Sequence, residues 1–329
     1  MNKNILLGVT GGIAIYKVVD VVSRLKKLGF KGYKDFQLNL AANINKNSDD
    51  SLLTAITSVD ENVRKKASKD IKIANSIDEL IEKLDDVKFI LLSLPAGKIT
   101  DDMIFLLKEK LNKDDIVIDT GNTNYKKTLE HYEILKEKNI GFLDCGTSGG
   151  MSGARNGACL MVGGEKKYYD QVKDFFEAIS CEDGLLYTGR AGSGHYLKMI
   201  HNGIEYGMMQ AIGEGFAVLE ASEFDYDYED VSKVWNHGSV IRSWLIELAQ
   251  EGFAKDPKLD SHSGVINANG ECKWTVEEAL RLDVPVPVIS NSLFVRNTSK
   301  IDVDDNFSNK VVAQLRNGFG GHDLVKKDK

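Results

Sequence analysis

The chain has 329 residues, of which 42% are hydrophobic and 28% are charged, and its formal net charge is −7. A chain of this length can form about two domains, and its negative charge argues against a general nucleic-acid-binding protein. No apolar run approaches the roughly 18 residues that a membrane span needs, so we expect a cytoplasmic protein without membrane contact. The four cysteines contain no CxxC pair, which indicates reduced thiols and neither a disulfide framework nor a metal site.

The first half of the chain alternates predicted strands with predicted helices. Strands are predicted at 4–9, 52–59, 88–95, 115–122, 140–150 and 158–164. Helices are predicted at 14–28, 36–46, from about 63, and at 76–84, 100–111 and 125–139. This alternation predicts a Rossmann-like α/β domain with a mostly parallel sheet, which we place at residues 1–190. Ligands of such sheets bind at the carboxyl ends of the strands.

After about residue 190 the strand signals stop and the pattern becomes helical. One long helix is predicted at 194–222, and further helices at about 228–251, 275–282 and 288–299. We therefore predict an all-α C-terminal domain at residues 191–329.

A polar stripe follows one face of the long predicted helix. It consists of Lys198, His201, Asn202, Glu205 and Tyr206, whose offsets of 0, 3, 4, 7 and 8 place them on the same side. A lysine and a glutamate two turns apart offer one potential base and one potential acid for proton transfer. The alternative is a solvated face with intrahelical Lys–Glu pairing, although such a face is normally richer in charge and poorer in Asn, His and Tyr.

Five segments are similar, in the correct order, to the decarboxylating 6-phosphogluconate dehydrogenases. They read DTGNTNYKKT, FLDCGTSGGMSGARNGACLMVGG, GSGHYLKMIHNGIEYGMMQAIGEGF, VWNHGSVIRSWL and RNGFGGH. The similarity runs from about residue 36 to the end. It implies an NAD- or NADP-dependent oxidoreductase of the pentose phosphate pathway, of the compact type that often prefers NAD. Its substrate would be 6-phosphogluconate, a phosphorylated sugar acid, and its products ribulose 5-phosphate and CO2.

The resemblance implies catalytic roles for three residues of the stripe. Lys198 would be the base that takes the proton of the C3 hydroxyl while hydride leaves C3. Glu205 would be the acid that protonates C1 of the enediol that remains after CO2 is lost. Asn202 would act beside them.

The resemblance also implies how the substrate is held. Its carboxylate and hydroxyls would contact Asn122, Ser148, Gly149, Gly150, His201 and Asn202. Tyr206 and Arg296 would bind the phosphate, since the guanidinium fork matches phosphate oxygens. Arg316 and His322 would reach into the site of a neighbouring subunit, so that a homodimer or homotetramer is required.

The sequence near the N-terminus, where the family binds its dinucleotide, departs from the family pattern. That pattern is a strand followed by GxGxxG. That pattern falls on Phe30, Gly32 and Asp35, so only Gly32 matches, whereas Gly11 and Gly12 form a different turn after the first predicted strand. The other expected cofactor contacts are Leu94, Pro95, Ala96 and Asn122, with Asp60 as the carboxylate nearest the end of the second strand. Because no arginine ends that strand, NAD is preferred over NADP.

Residues 1–30 resemble instead the start of the flavin-dependent phosphopantothenoylcysteine decarboxylases, in which a Gly-Gly turn lies against FMN phosphate. We expect this segment to form the first strand and helix of the sheet, without flavin. Four interpretations remain open: an active dehydrogenase, a substrate-binding homologue with impaired cofactor binding, a related β-hydroxyacid dehydrogenase, and a flavin-binding lyase.

Overall fold

The computed structural model describes residues 4–9, 53–57, 72–74, 76–84, 87–268, 270–301 and 306–326. The chain divides into two compact units, Met1–Lys198 and Met199–Lys329. Several predictions concern residues outside the described part. They are the helices at 14–28, at 36–46 and from about 63, and the cofactor contacts Gly11, Gly12, Gly32 and Asp60.

The described part of the first unit contains an eight-stranded sheet with the order β3-β2-β1-β4-β5-β6-β7-β8. The strands are β1 (Asn4–Val9), β2 (Leu53–Thr57), β3 (Lys72–Ile73), β4 (Lys88–Ser93), β5 (Ile116–Asp119), β6 (Gly141–Ser148), β7 (Ala158–Gly164) and β8 (Ser180–Gly189). Neighbouring strands are parallel except β6 and β7, which are antiparallel. The predicted Rossmann-like sheet is therefore confirmed, including its first strand.

Five described helices accompany this sheet. They are α1 (Ile77–Glu82), α2 (Lys98–Lys110), α3 (Tyr125–Lys136), α4 (Gly150–Asn156) and α5 (Lys166–Ile179). The capping-box pattern before α1 is confirmed, because the Ser76 side chain accepts a hydrogen bond from Glu79 N at 3.1 Å. Strands β4 and β5 are buried along their whole length, so their side chains form the core with α2 and α3.

Helix α5 and strand β8 have no counterpart among the predicted elements. Helix α5 could have been found, because its buried residues include Tyr168, Val172, Phe175, Phe176 and Ile179, which follow helical spacing. Strand β8 gave a weaker signal, since most of its residues are only partly buried and it lies at the edge of the sheet.

The strand order reverses beside β1, which lies between β2 and β4. The chain passes from the outer strand β3 to β4 on the other side of β1, and the carboxyl ends of β1 and β4 are paired at Val9 and Ser93. Ligands of open α/β sheets bind in the crevice at such a reversal. The fold thus places a binding crevice at these two strand ends.

Long helix α6 (Ser193–Glu220) starts in the first unit, and the described part of the second unit is helical. The other helices are α7 (Tyr228–Trp235), α8 (Trp244–Lys255), α9 (Glu271–Arg281), α10 (Pro287–Thr298) and α11 (Phe307–Gly320). The predicted all-α region is confirmed. Among the described helices, none is long and apolar enough to cross a membrane.

The prediction of continuous helix at 228–251 is wrong, because α7 and α8 are separate helices. Gly238 between them has a φ of 81°, a left-handed conformation that interrupts a helix. Ser243 then caps the next helix by accepting a hydrogen bond from Ile246 N at 3.3 Å. The two helices pack on an aromatic core in which the rings of Phe216 and Phe253 lie 4.8 Å apart.

Candidate active site

A buried carboxylate on the sheet fixes the start of α6. Asp144 in β6 is fully buried and accepts hydrogen bonds from Gly192 N at 2.7 Å and His195 N at 2.8 Å. The first N–H groups of a helix have no partner within the helix, and negative charge is favourable there. Asp144 therefore anchors the helix end that carries Lys198.

Glycines let this helix end approach the sheet closely. A Cβ atom on Gly146 of β6 would lie 2.5 Å from Lys198 Cβ, and one on Gly194 would lie 2.4 Å from Met161 O in β7. Neither distance is possible for a real side chain, so only glycine fits at these positions. As a result, the Lys198 stem lies against β6 and the residue is buried.

The carboxyl end of β5 is a rigid turn that presents Asn122. Asp119 accepts hydrogen bonds from Gly121 N at 2.9 Å and from the Thr123 hydroxyl at 2.7 Å. A Cβ atom on Gly121 would lie 2.8 Å from Leu94 O, so the turn also requires glycine to pass the end of β4. Asn122 is thereby held, half-buried, next to the carboxyl end of the neighbouring strand.

Strand β6 ends in the predicted glycine turn, where a short helix, α4, follows directly. Gly149 and Gly150 have φ values of 115° and 54°, so backbone geometry alone requires glycine at the first of them. Together with Ser148 they are half-buried at the carboxyl end of β6, which is parallel to β5. The first unit thus places Asn122 and Ser148–Gly150 at the same edge of the sheet. Their contact with substrate stays a prediction.

The described side of the crevice fits a dinucleotide. After β4, residues Pro95, Ala96 and Gly97 are exposed, whereas Leu94 is buried. Gly97 precedes α2 with a φ of 100°, no side chain caps that helix, and a Cβ atom there would meet no atom within 4 Å. Small exposed residues before an uncapped helix N-terminus allow a phosphate-bearing ligand to approach the backbone.

In the second unit, the polar stripe of α6 forms a hydrogen-bonded chain. Asn202 Nδ2 donates to the Glu271 carboxylate, and Asn202 Oδ1 lies 3.1 Å from His201 Nδ1. The same His201 nitrogen lies 3.7 Å from Glu205 Oε2. Asn202, Tyr206 and Lys198 are all buried, so the alternative of a solvated helix face is wrong for these positions.

Sequence reasoning missed the contribution of α9 to this stripe. Glu271 is its first residue, and Thr275 one turn later donates from its hydroxyl to Met199 O at 2.8 Å. A Cβ atom on Gly203 would lie 2.6 Å from the Thr275 methyl carbon, so the two helices are in close contact. No periodicity within α6 could have indicated partners about 70 residues away.

Two buried arginines lie near the end of the stripe. The Arg296 guanidinium carbon is 3.3 Å from the centre of the Tyr206 ring, and both residues are buried. Burial lowers the pKa of Arg296, and burial together with the charge of Arg296 lowers the pKa of Arg316 to about 10. Among the described residues, neither arginine has a carboxylate within ion-pair distance. Buried like charges of this kind favour a bound anion.

Arg316 lies near the end of the stripe within its own chain. Its charge interacts with Arg296 and Tyr206 of the same chain, because α11 packs into the core of its own unit through Val311 and Leu315. His322 follows the end of α11, where its backbone oxygen accepts from an asparagine of that helix. That Arg316 and His322 reach into the site of a neighbouring subunit stays a prediction.

Two family models match the chain. The first is described as the NAD binding domain of 6-phosphogluconate dehydrogenase and matches residues 28–189. The second is described as the 6-phosphogluconate dehydrogenase C-terminal domain and matches residues 194–328. The chain belongs to the 6-phosphogluconate dehydrogenase family. Residues 1–27 lie outside both matches.

Individual members of the 6-phosphogluconate dehydrogenase family show the same similarity. The chain is 52% identical over 252 residues to the Bacillus subtilis protein named "Putative 6-phosphogluconate dehydrogenase YqeC", covering 77% of this chain and 84% of that protein. It is 43% identical over 260 residues to the NAD(+)-dependent, decarboxylating enzyme of Haloferax volcanii, covering 78% of this chain and 84% of that protein.

Solved structures agree with the family assignment. The Plasmodium falciparum 6-phosphogluconate dehydrogenase superposes with a TM-score of 0.70 at 28% identity, covering 95% of this chain and 70% of that chain. A Mycobacterium tuberculosis 3-hydroxyisobutyrate dehydrogenase shares the fold, with a TM-score of 0.65 at 16% identity.

Proposed function

We propose that the protein catalyses the oxidative decarboxylation of 6-phosphogluconate to ribulose 5-phosphate with NAD or NADP as the hydride acceptor. The observation that carries this proposal is the polar stripe of α6, in which Asn202, His201 and Glu205 are linked and Tyr206 meets a buried arginine. The named relatives use either NAD or, in a Bacillus subtilis enzyme that is 37% identical, NADP. The lack of an arginine after the second strand favours NAD.

The first step needs a base at the C3 hydroxyl. Lys198 is suited to this role because Asp144 and Gly146 hold its backbone against β6, so that the amine reaches a defined position. The chemistry that NAD or NADP supplies when bound is acceptance of the hydride from C3. The carbon is thereby oxidised from an alcohol to a ketone, and Lys198 retains the hydroxyl proton.

The second step releases C1 as CO2. The C3 ketone oxygen accepts the electron pair of the breaking C1–C2 bond and the proton that Lys198 holds, which gives an enediol. Glu205 then delivers a proton to the carbon from which CO2 left, while the enediol hydroxyl gives its proton back to Lys198 and the ketone of ribulose 5-phosphate forms. His201, whose Nδ1 is 3.7 Å from the Glu205 carboxylate, would return a proton to Glu205. We assign Asn202 to the substrate hydroxyls beside this acid.

The phosphate end of the substrate is assigned to Tyr206, Arg296 and Arg316. A dianionic phosphate neutralises two guanidinium groups that have no carboxylate partner among the described residues. At the other end, Asn122 and Ser148–Gly150 are assigned to the substrate carboxylate and hydroxyls, in agreement with their place at the sheet edge.

We propose a cytoplasmic homodimer or homotetramer. Exposed apolar side chains support self-association, since Ile204 and Met208 on α6 and Val288 on α10 are 52%, 43% and 65% exposed. These side chains belong to one surface, because a Cβ atom on Gly207 would lie 3.2 Å from Val288. Apolar surface of this kind is typical of contacts between subunits.

The test is a direct assay. The purified chain is incubated with 6-phosphogluconate and NAD or NADP, and NAD(P)H, CO2 and ribulose 5-phosphate are measured. We expect all three to form in equal amounts, faster with NAD. Absence of turnover with both cofactors in a folded protein would refute the proposal.

A second candidate, a substrate-binding homologue with impaired cofactor binding, is favoured by the sequence of the cofactor turn, in which only Gly32 matches the family pattern. It predicts that 6-phosphogluconate raises the thermal unfolding midpoint and that NAD and NADP do not. Tight binding of either dinucleotide excludes it.

A further inference from the structure

We infer that Glu271 is a positioning residue of the active site: it fixes the amide of Asn202 and, through that amide, the proton on His201 beside Glu205. The mechanistic consequence rests on the proposed function, whereas the proton position can be measured without it.

The chain of contacts starts at the Glu271 carboxylate. Glu271 is only 3% exposed and is the first residue of α9, where the helix dipole favours a negative charge. An ionised carboxylate has no proton to donate, so it can only accept hydrogen bonds. Asn202 must therefore turn its NH2 group toward Glu271, as observed.

The orientation of Asn202 determines the tautomer of His201. With Nδ2 committed to Glu271, the amide oxygen of Asn202 is the atom that lies 3.1 Å from His201 Nδ1. An amide oxygen only accepts, so Nδ1 of His201 must carry the proton. The Glu205 carboxylate lies 3.7 Å from the same nitrogen.

The helix that carries Glu271 is held firmly against α6. Thr275, one turn after Glu271, donates to Met199 O, and Gly203 leaves room for the Thr275 side chain. This contact fixes the register of the two helices. Glu271 therefore holds the Asn202 amide in one orientation. Without Glu271, the amide could rotate and present its NH2 group to His201.

A second buried acid on α9 provides a matched control. Glu278 is also 3% exposed, but its carboxylate pairs with Arg281 on the same helix, at 2.6 Å. Glu278→Gln therefore makes the same chemical change in the same helix, in a side chain whose carboxylate pairs with Arg281.

The first measurement is the tautomer of His201 in the wild-type protein without ligand. Imidazole nitrogens are labelled with 15N, their NMR shifts are recorded above the pKa of histidine, and His201→Asn assigns the signals. We expect the Nδ1–H tautomer. A predominant Nε2–H tautomer overturns the inference, whether or not the protein proves to be a dehydrogenase and whether or not any Glu271 variant folds.

The second measurement compares Glu271→Gln with Glu278→Gln. A glutamine can present either oxygen or NH2, so we expect mixed His201 tautomers, a roughly 10- to 100-fold lower kcat and an altered pH profile of kcat in Glu271→Gln. Glu271→Asp, which still only accepts, should recover part of the kcat and the original profile. Wild-type tautomer and pH profile in Glu271→Gln, or equal changes in Glu278→Gln, overturn the inference. Absence of turnover in the wild type refutes the proposed function and leaves the tautomer result standing.

Discussion

The guanidinium of Arg296 lies over the ring of Tyr206, with 3.3 Å between the guanidinium carbon and the ring centre. Two of the three residues proposed to hold the substrate phosphate are thus brought together from α6 and α10 by a cation–π contact. Burial raises the pKa of Tyr206, which keeps its hydroxyl neutral, and lowers the pKa of Arg296, so the charged guanidinium carries a burial cost that a bound anion reduces. Several predictions depend on this arrangement and on the anchored start of α6.

Arg296→Lys keeps the charge but removes the contact between the guanidinium and the Tyr206 ring, together with the forked donors. We expect KM for 6-phosphogluconate to rise roughly 10- to 100-fold, as for loss of about 1.5–3 kcal/mol in a charge-assisted hydrogen bond, with a smaller change in kcat. Lys273→Ala, which removes an exposed cation from α9, serves as the control and should leave KM unchanged. KM and kcat are measured by steady-state kinetics. Equal KM values for Arg296→Lys and the wild type would contradict the assignment of Arg296 to the substrate phosphate.

Burial of Arg316 predicts a stability effect at neutral pH. Its folded-state pKa, about 10, lies below the ordinary value, so the unfolded chain holds the proton more tightly. The charged side chain therefore opposes folding below that pH, and the opposition fades as pH rises through the folded pKa. We expect Arg316→Met to raise the unfolding midpoint without ligand and to reduce the gain from 6-phosphogluconate, measured by calorimetry. A lower midpoint without ligand would contradict this explanation.

Subunit mixing tests whether Arg316 acts in its own chain. Chains with Lys198→Ala and chains with Arg316→Ala are co-expressed and purified as mixed oligomers. Because Arg316 lies near Arg296 of the same chain, each site then lacks one of the two residues, and we expect no activity. If Arg316 came from the neighbour, some sites would be complete and activity would return. Wild-type chains mixed with each variant provide the reference.

Gly146→Ala should displace the start of α6. The added Cβ atom would lie 2.5 Å from Lys198 Cβ, so we expect a loss of about 1–3 kcal/mol in unfolding free energy and a lower kcat. Gly215→Ala is the control, because Gly215 lies in α6, the helix that carries Lys198, and its Cβ atom would meet nothing within 4 Å. That change should stabilise by about 0.5–1 kcal/mol without affecting kcat. Denaturation and kinetics on both variants distinguish a local clash from a general effect.

Asp144→Asn leaves one of two buried N–H groups without an acceptor. We expect a loss of about 1–3 kcal/mol in stability together with a lower kcat, since Gly192 and His195 lead into the helix of Lys198. Asp115 is likewise buried and accepts from two backbone N–H groups at the start of β5. Asp115→Asn should cost similar stability and leave kcat of the folded enzyme unchanged. Equal effects on kcat would show that Asp144 has only a structural role.

Local patterns in the sequence determined much of this protein. The alternation of strand and helix patterns predicted the Rossmann-like sheet, and the capping-box pattern predicted the start of α1. Helical spacing placed a set of polar residues on one face of α6: Lys198, His201, Asn202, Glu205 and Tyr206. Backbone geometry and side-chain spacing repeat over a few residues, so a short window of sequence contains this information. The break at Gly238 was missed because a single glycine is a weak signal.

Only the tertiary structure decided which distant residues meet. Asp144 caps a helix that begins about 50 residues later, Glu271 holds an amide about 70 residues earlier, and Arg316 lies near Arg296 of its own chain. None of these contacts produces a periodic residue pattern in a short stretch of sequence, because each depends on how separate helices and strands pack. The sequence by itself supplied the reactive groups, and packing decided their partners and their burial.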